Sequence, residues 1–204
     1  KKLQQLHPKK IDLSLGRINK LLYKLGRPQK KIKNIIHIAG TNGKGSVLAF
    51  LKSFIQSSGF TVNTYTSPHL IDYRERIRVQ GECIPKDRVV DLLAKIRGCI
   101  SFFTYPTFFE VTTAIAFKYF AEEGVDVAVI EVGMGGRFDA TNTCMPVGTL
   151  ITNVSFDHET YLGHFLEEIA FEKAGAMKKD VVCISAYQNS VVKRVLVKQA
   201  ENKG

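Results

Sequence analysis

Apolar residues recur with two different periods along this chain, and the two patterns alternate. Runs of branched apolar residues predict buried strands at 35–38, 60–65, 125–132, 149–154 and 181–185. Apolar residues at helical spacing predict helices within 11–26, 47–58, 86–97, 107–123, 164–176 and 191–200. Residues 74–85 alternate charged and apolar residues across Gly81, which predicts a hairpin or a short extended excursion. Because strands and helices alternate with short connections, we expect an α/β fold with a mostly parallel sheet flanked by helices.

The first predicted strand runs directly into a glycine-rich loop. Three glycines surround Lys44, at positions 40, 43 and 45, and Ser46 opens the next helix. Such glycines let backbone N–H groups turn towards an anion, the lysine adds a positive charge, and the helix N-terminus contributes its dipole. The spacing differs from a Walker A loop because a glycine, rather than Ser or Thr, follows the lysine. We therefore predict a variant phosphate loop, with an ordinary glycine-rich turn as the alternative.

Polar residues stand where three further predicted strands end. Ser67 follows the second strand, Glu131 lies at the end of the third, and Asp157 and His158 follow the fourth. Loops after parallel strands gather at one edge of a sheet, so we expect these side chains to converge on the phosphate loop. A nucleotide triphosphate bound there needs Mg²⁺, which prefers oxygen ligands. Ser67, Glu131 and His158 are therefore candidates to hold or orient the metal.

Glu131 carries most of this metal hypothesis. A carboxylate at the end of an otherwise apolar strand loses hydration unless it is paired or metal-bound. A salt bridge to Arg137 is the alternative. Lys173 lies on a predicted helix and, from the pattern alone, is interpreted as a solvated lysine. The histidines other than His158 are interpreted as polar surface or capping residues: His7, His37, His69 and His164.

A second glycine-rich turn, GMGGRFDATN, occupies residues 133–142 and follows a predicted strand. One interpretation is a dinucleotide-binding fingerprint of the form GxGxxG. Phe138 occupies the third glycine position, and the loop after the first strand already offers a phosphate site. The dinucleotide interpretation is therefore the weaker one.

Composition limits the class of protein. With 204 residues, 45% of them hydrophobic, and no apolar run that would cross a bilayer, we expect one globular domain without a membrane partner. The four cysteines form no CxxC pair, which disfavours a zinc ribbon or a disulfide framework and suits the reducing cytoplasm. The chain begins with Lys1 and its first residues contain no apolar signal-peptide core, so we expect a trimmed chain.

The chain is basic, with 29 Lys and Arg against 19 Asp and Glu and a formal net charge of +10. Nucleic-acid binding is one hypothesis, but the basic clusters are short and lack interleaved aromatic residues. An anionic small-molecule substrate explains the charge equally well. We therefore expect small-molecule partners and no nucleic acid.

Seven motifs occur together and in a fixed order. They are GTNGKGS at 40–46, TSPHL at 66–70, ERIRVQGE at 75–82, TFFE at 107–110, EVGMGGRFDATN at 131–142, SFDH at 155–158 and FEKAG at 171–175. This set resembles the folylpolyglutamate synthase and dihydrofolate synthase family of the Mur ligase superfamily. The resemblance implies a P-loop-type Mur ligase central domain. It also implies an ATP-dependent ligase that phosphorylates a carboxylate of dihydropteroate or a reduced folate and joins it to the amine of L-glutamate.

The resemblance also assigns roles to residues. It implies that the ATP phosphates are held by Thr41, Asn42, Gly43, Lys44, Gly45 and Ser46. It implies two Mg²⁺ sites, held by Ser67, Glu131, His158 and Lys173, the last matching a lysine that is carbamylated in many family members. Lys44, Glu131, His158 and Lys173 would thus be catalytic. The pterin would be held by Asp12, Thr107, Phe108, Phe109, Glu110, Phe138, Asp139 and Ala140.

The length of the chain departs from the family. Family members carry a second, C-terminal α/β domain that contributes to the nucleotide and glutamate sites, so residues 1–204 are expected to be the N-terminal ATP-binding domain alone. We expect such a chain to be monomeric and to bind phosphates without ligating. The alternatives are a Mur-type ligase acting on another carboxylate substrate and a P-loop NTPase that is not a ligase.

Overall fold

The structure is a computed structural model that describes residues 14–100 and 105–204. Its strands form one seven-stranded sheet in the order β4-β3-β2-β5-β1-β6-β7. The strands are β1 (Ile35–Ala39), β2 (Val62–Tyr65), β3 (Ile77–Val79), β4 (Glu82–Cys83), β5 (Val127–Glu131), β6 (Gly148–Ile151) and β7 (Val182–Ser185). The five strands from β2 to β7 in this order are parallel, whereas β3 and β4 are antiparallel to their neighbours. The prediction of a mostly parallel sheet is confirmed.

Seven α-helices and three short 3-10 helices connect these strands within the described residues. The α-helices are α1 (Gly16–Lys24), α2 (Lys44–Ser57), α3 (Lys86–Cys99), α4 (Phe108–Glu123), α5 (Glu159–Leu162), α6 (Leu166–Ala174) and α7 (Ser190–Glu201). The 3-10 helices are Pro28–Lys30, Tyr73–Arg76 and Ala140–Thr143. No helix among these residues is long and apolar enough to cross a membrane.

Both faces of the sheet are covered, as an α/β fold requires. On one face, α1, α3 and α4 pack over the central strands through buried side chains such as Leu22, Leu92 and Phe117. On the other face, α2 packs through Leu48 against the branched residues of β1, β2 and β5. A separate cluster joins α6 and α7 to β6 at Ile151. The loops that follow the parallel strands lie at one edge of this sheet.

The structure corrects one predicted helix. The pattern predicts a single helix at 164–176, but α6 begins only at Leu166. The reason is a local cap, because the Glu168 side chain accepts a hydrogen bond from the Phe165 backbone N–H at 3.1 Å. The short helix α5, which is followed by Gly163 with a φ of 111°, is absent from the predicted pattern. The predicted hairpin is confirmed, since β3 and β4 pair across a turn at Gly81 whose φ is 94°.

Candidate active site

The phosphate loop has the geometry of an anion-binding turn. It joins β1 to α2, and Gly43 precedes the helix in a left-handed conformation with a φ of 82°. A Cβ atom at Gly43 or Gly45 would meet no atom within 4 Å, so the backbone there borders open space. The Lys44 ammonium group lies over the loop and donates hydrogen bonds to the Gly40 and Thr41 carbonyl oxygens at 3.1 and 3.0 Å. An anion can therefore approach the backbone N–H groups and the lysine together.

Thr41 connects the phosphate loop to the segment after β6. Its backbone N–H donates to the Asn153 carbonyl oxygen at 2.7 Å. Its hydroxyl group donates to the Ser155 carbonyl oxygen and accepts from the Ser155 N–H, both at 3.1 Å. The backbone of Gly40 also approaches this region closely, because a Cβ atom at Gly40 would overlap Thr152. The Thr41 side chain thus holds the segment that leads to Asp157 and His158.

Glu131 is a buried carboxylate that forms no salt bridge within the part of the chain that the structure describes. It is 6% exposed at the end of β5, and Oε2 accepts a hydrogen bond from the Ser67 backbone N–H at 3.2 Å. The alternative of a salt bridge to Arg137 is wrong, because Arg137 pairs with Glu172 at 3.6 Å. Burial raises the pKa of Glu131, although the Ser67 N–H and the charge of Lys44 oppose that rise. An unpaired buried carboxylate beside a hydroxyl-bearing residue fits a Mg²⁺ site.

Lys173 lies inside the site and not in solvent. Only 2% of its surface is exposed, and Nζ donates a hydrogen bond to the Gly40 carbonyl oxygen at 3.0 Å. The interpretation of a solvated lysine is therefore wrong, because the packing of α6 against the phosphate loop buries this side chain. Burial and, to a lesser extent, the nearby charge of Lys44 lower the pKa of Lys173 to about 8, while Asp157 has the opposite effect.

His158 lies on the same edge but is not gathered into a preformed metal cluster. It adopts a φ of 50° at the start of α5, and its Nε2 lies 3.6 Å from Asp157 Oδ2. Its side chain is half-exposed. Within the described part of the chain, no three His, Cys, Asp or Glu side chains lie close enough to hold a metal ion. The structure therefore brings together Lys44, Ser67, Glu131 and Lys173, and leaves His158 beside them.

The TFFE segment begins α4 and contacts the second glycine-rich turn. Thr107 and Glu110 form a capping box, in which the Thr107 N–H donates to Glu110 Oε2 at 2.6 Å and the Glu110 N–H donates to Thr107 Oγ1 at 3.2 Å. Arg17 of α1 also donates to Glu110 Oε2 at 3.2 Å. The Phe109 ring lies against Gly133, where a Cβ would overlap it. The two predicted pterin-binding segments are thus adjacent in the fold.

Asp139 holds the second glycine-rich turn in shape. Its Oδ2 accepts hydrogen bonds from the Gly133 and Met134 N–H groups, both at 3.0 Å, and its Oδ1 accepts from the N–H and hydroxyl groups of Thr141. Burial raises the pKa of Asp139, and these hydrogen bonds oppose the rise. Phe138 lies under the Arg137 guanidinium at 4.7 Å, and Ala140 is buried. Asp12 lies outside the described residues.

Sequence reasoning missed two residues of this region. His37 is fully buried, and its Nε2 lies 2.8 Å from Thr141 Oγ1, so it was wrongly interpreted as a surface or capping residue. Arg76 is 8% exposed, and the alternation of charged and apolar residues in its segment predicts a hairpin without indicating a role for this residue. The available signal for His37 was its position inside an apolar strand, whereas nothing local distinguished Arg76 from the charged residues around it.

Comparison with known proteins identifies the family. The profile of the Mur ligase middle domain matches residues 38–202. The chain belongs to the Mur ligase family. This Mur ligase middle domain is 42% identical over 197 residues to a Bacillus subtilis dihydrofolate synthase/folylpolyglutamate synthase, an alignment that covers 94% of the chain and 46% of that relative.

Solved structures agree with this assignment. A structure of E. coli FolC in complex with DHPP and ADP superposes with a TM-score of 0.92 and 35% identity, covering 99% of this Mur ligase domain and 48% of that chain. Mycobacterium tuberculosis folylpolyglutamate synthase complexed with ADP superposes with a TM-score of 0.91 and 38% identity. The superposition covers 98% of this domain and 47% of that chain. The domain thus spans about half the length of the proteins it matches.

Proposed function

We propose that the protein to which this chain belongs is an ATP-dependent amide ligase that joins L-glutamate to dihydropteroate, to reduced folates or to both. The observation that carries the proposal is the convergence of Lys44, Glu131 and Lys173 at one sheet edge, where Lys44 and Lys173 both donate to the Gly40 carbonyl oxygen and Glu131 ends the neighbouring strand. The relatives support the substrate class, since one is named dihydrofolate synthase/folylpolyglutamate synthase and another was solved with DHPP and ADP.

The reaction needs two group transfers, because a carboxylate is a poor electrophile at neutral pH. A carboxylate oxygen attacks the γ-phosphorus of ATP, the bond between that phosphorus and the bridging oxygen of ADP breaks, and an acyl phosphate forms. The glutamate amine then attacks the carbonyl carbon, inorganic phosphate leaves with the electron pair of its C–O bond, and the amine loses a proton to solvent. Such catalysis is mainly positioning and charge neutralisation, which Lys44 and the N–H groups of residues 41–46 supply.

Ser67, Glu131, His158 and Lys173 would hold Mg²⁺, in one or two sites. When bound, Mg²⁺ neutralises charge on the transferring phosphoryl group. The buried carboxylate of Glu131, which pairs with no cation among the described residues, suits this role best. A protonated Lys173 cannot be a ligand, but burial lowers its pKa to about 8 and so favours the neutral amine. That amine is the form that carbon dioxide converts to a carbamate, which would present oxygen atoms at this position.

The pterin would lie between the TFFE segment and the second glycine-rich turn, which the contact of Phe109 with Gly133 brings together. Aromatic faces for a flat heterocycle are available at Phe108, Phe109 and Phe138. The polar and backbone groups of Thr107, Glu110, Asp139 and Ala140 complete this region. Asp12 is part of the same proposal through the family resemblance alone.

We further propose a cytoplasmic, monomeric enzyme that acts on small molecules and not on nucleic acid. All four cysteines are free, which suits a reducing compartment. The net charge of +10 suits substrates that carry several carboxylates and phosphates.

The test is ADP release by the full-length gene product with Mg²⁺, ATP and L-glutamate, comparing dihydropteroate, tetrahydrofolate and no pterin. We expect pterin-dependent release with a stoichiometric glutamyl product. Release with both substrates assigns both activities, and release with one assigns the narrower activity. Release that is equal with and without pterin would reject the ligase and indicate a plain NTPase.

A further inference from the structure

Arg76 is a buried arginine that pairs with no acidic side chain of residues 14–100 and 105–204. It is the last residue of the 3-10 helix Tyr73–Arg76, and only 8% of its surface is exposed. Among the residues that the structure describes, no carboxylate oxygen lies within 4.0 Å of its side-chain nitrogen atoms. Buried arginines are normally paired, because an uncompensated charge in the interior is strongly unfavourable. The burial of Arg76 therefore calls for an anion that the described residues do not supply.

The contacts of Arg76 leave its outer edge available. Its Nε donates a hydrogen bond to His69 Nδ1 at 2.8 Å. Its guanidinium lies over the Phe108 ring, with Cζ 5.4 Å from the ring centroid. These contacts use one N–H group and one face of the planar group, and within the described part of the chain the two Nη atoms make no hydrogen bond. Two parallel N–H groups on one edge are the arrangement that binds a carboxylate in a bidentate manner.

The surroundings of Arg76 place this edge in the candidate site. Phe108 belongs to the segment proposed to hold the pterin, and His69 belongs to the loop that begins at Ser67. Tyr73 lies between them, with its ring 6.2 Å from that of His69 and 6.0 Å from that of Phe108. The charge of Arg76, like that of Lys44, also acts to lower the pKa of Glu131. The guanidinium thus contacts the proposed pterin segment and acts on the carboxylate proposed to hold the metal.

We propose that Arg76 binds the reacting carboxylate of the pteroate or folate substrate and neutralises charge on the acyl phosphate that this carboxylate becomes. The inference rests on the proposed function. Before phosphoryl transfer, the two Nη groups donate to the two carboxylate oxygens and orient one of them towards the γ-phosphorus. After transfer, one oxygen is bonded to phosphorus and the other is a carbonyl oxygen. The fixed positive charge stabilises both species without gaining or losing a proton.

The test compares a carboxylate ligand with a neutral one. Dissociation constants are measured for dihydropteroate and for its primary carboxamide, using the full-length gene product at saturating ADP and Mg²⁺. We expect the wild-type protein to prefer the carboxylate by about 10- to 100-fold, since a charge-assisted bidentate pair is involved. Arg76→Gln should lower that preference to about threefold or less and leave carboxamide affinity unchanged, whereas Arg76→Lys should retain part of it.

Arg78→Gln is the matched control. Arg78 lies two residues along the same segment, and its side chain donates to the Glu75 and Gly81 carbonyl oxygens at 3.3 and 3.2 Å. Its replacement should leave the carboxylate preference at the wild-type value. Affinity for a non-hydrolysable ATP analogue, unchanged within about twofold, checks that each variant keeps the folded phosphate site.

Each remaining outcome would overturn the assignment. Equal losses of affinity for both ligands would show that Arg76 only supports Phe108. A preserved carboxylate preference in Arg76→Gln would show that another group binds the anion. A change confined to the KM for L-glutamate would assign Arg76 to the amino acid instead. If the wild-type protein binds neither pterin, the proposed function fails first, and this inference fails with it.

Discussion

Single buried polar residues control the shape of the second glycine-rich turn. His37 in β1 reaches Thr141, and Thr141 in turn reaches Asp139. Asp139 is surrounded by hydrogen-bond donors, so we assign the single hydroxyl proton of Thr141 to the bond with its carboxylate. His37 must then donate from Nε2–H, which leaves Nδ1 as an unprotonated atom without a partner in the described residues. A neutral histidine is what this arrangement requires.

The first prediction concerns the charge state of His37. Burial and the charge of Lys178 lower the pKa of His37 to about 3, from an ordinary value of 6.5. Below pH 6.5 the His37 side chain binds a proton in the unfolded chain but not in the folded chain. The contribution of this residue to stability is therefore lost as the pH falls from 6.5 towards 3. Between pH 7 and pH 5, His37→Gln should lose about 2 kcal/mol less unfolding free energy than the wild type.

Urea unfolding at the two pH values measures this difference. The matched control is His164→Gln, because His164 is exposed and outside the network. It should show the wild-type pH dependence. Identical pH dependence in His37→Gln and the wild type would contradict the assignment of a neutral buried histidine.

At the scale of elements, the site is held together by contacts between loops that follow different strands. The loop after β1 is joined by Thr41 to the segment after β6. The turn after β5 is joined to α4 by the contact of Gly133 with Phe109. It is also joined to α6, because the Asn142 side-chain amide donates to the Gly175 carbonyl oxygen at 3.0 Å. A change in one of these contacts should therefore affect ligand binding beyond its own loop.

Thr41→Val tests the connection between the phosphate loop and the segment that leads to His158. Valine has nearly the same shape but removes both hydrogen bonds to Ser155. We expect the Mg²⁺ concentration for half-maximal ADP release to rise by about 5- to 30-fold. Thr41→Ser keeps the hydroxyl group and should stay close to the wild type. If the valine and serine variants behave alike, the hydroxyl group does not position this segment.

Gly133→Ala tests the contact between the second glycine-rich turn and α4. The added Cβ would overlap the Phe109 ring, so the ring must move, and we expect a loss of about 1–3 kcal/mol in unfolding free energy together with weaker pterin binding. The control is Gly98→Ala in α3, where a Cβ would meet nothing within 4 Å. That change should stabilise the protein by about 0.5–1 kcal/mol. Urea unfolding and pterin titration of both variants measure these effects. A Gly133→Ala variant with the stability and pterin affinity of the wild type would contradict the prediction.

At the scale of the whole molecule, the parallel sheet brings charged side chains from distant parts of the chain together at one edge. Lys44, Glu131 and Lys173 lie far apart in sequence, yet Lys173 donates to the carbonyl oxygen of Gly40 in the phosphate loop. The described residues supply a phosphate site, a buried carboxylate and an aromatic region. The relatives that are named as synthases are about twice as long as this domain.

We therefore predict that the isolated 204-residue chain binds nucleotide without completing the ligation. The phosphate loop is complete within the chain, so binding of a non-hydrolysable ATP analogue should be measurable by calorimetry. Formation of a glutamylated product should be undetectable, while the full-length gene product forms it under the same conditions. Turnover by the isolated chain would contradict this prediction.

Much of the site was predictable because short stretches of the sequence carry the residues that its chemistry needs. The glycines around Lys44 and the glutamate that ends an apolar run predicted the phosphate loop and the buried carboxylate. Lys173 was identifiable only through its motif, since helical spacing alone suggested an exposed side chain. Arg76 and His37 were missed because burial depends on which elements pack above a residue. Helix α4 supplies the Phe108 ring that covers Arg76, and it lies more than 30 positions further along the chain.

The sequence by itself determined the order of strands and helices, the parallel sheet and the polar residues at its strand ends, because these follow from apolar periodicity and from glycine and charge at short range. The tertiary structure decided which of those groups are buried and which are paired. It excluded the alternative of a salt bridge between Glu131 and Arg137 by pairing Arg137 with Glu172, and it buried Lys173 against Gly40. Pairing and desolvation arise between residues far apart in the chain, so only the packed fold determines them.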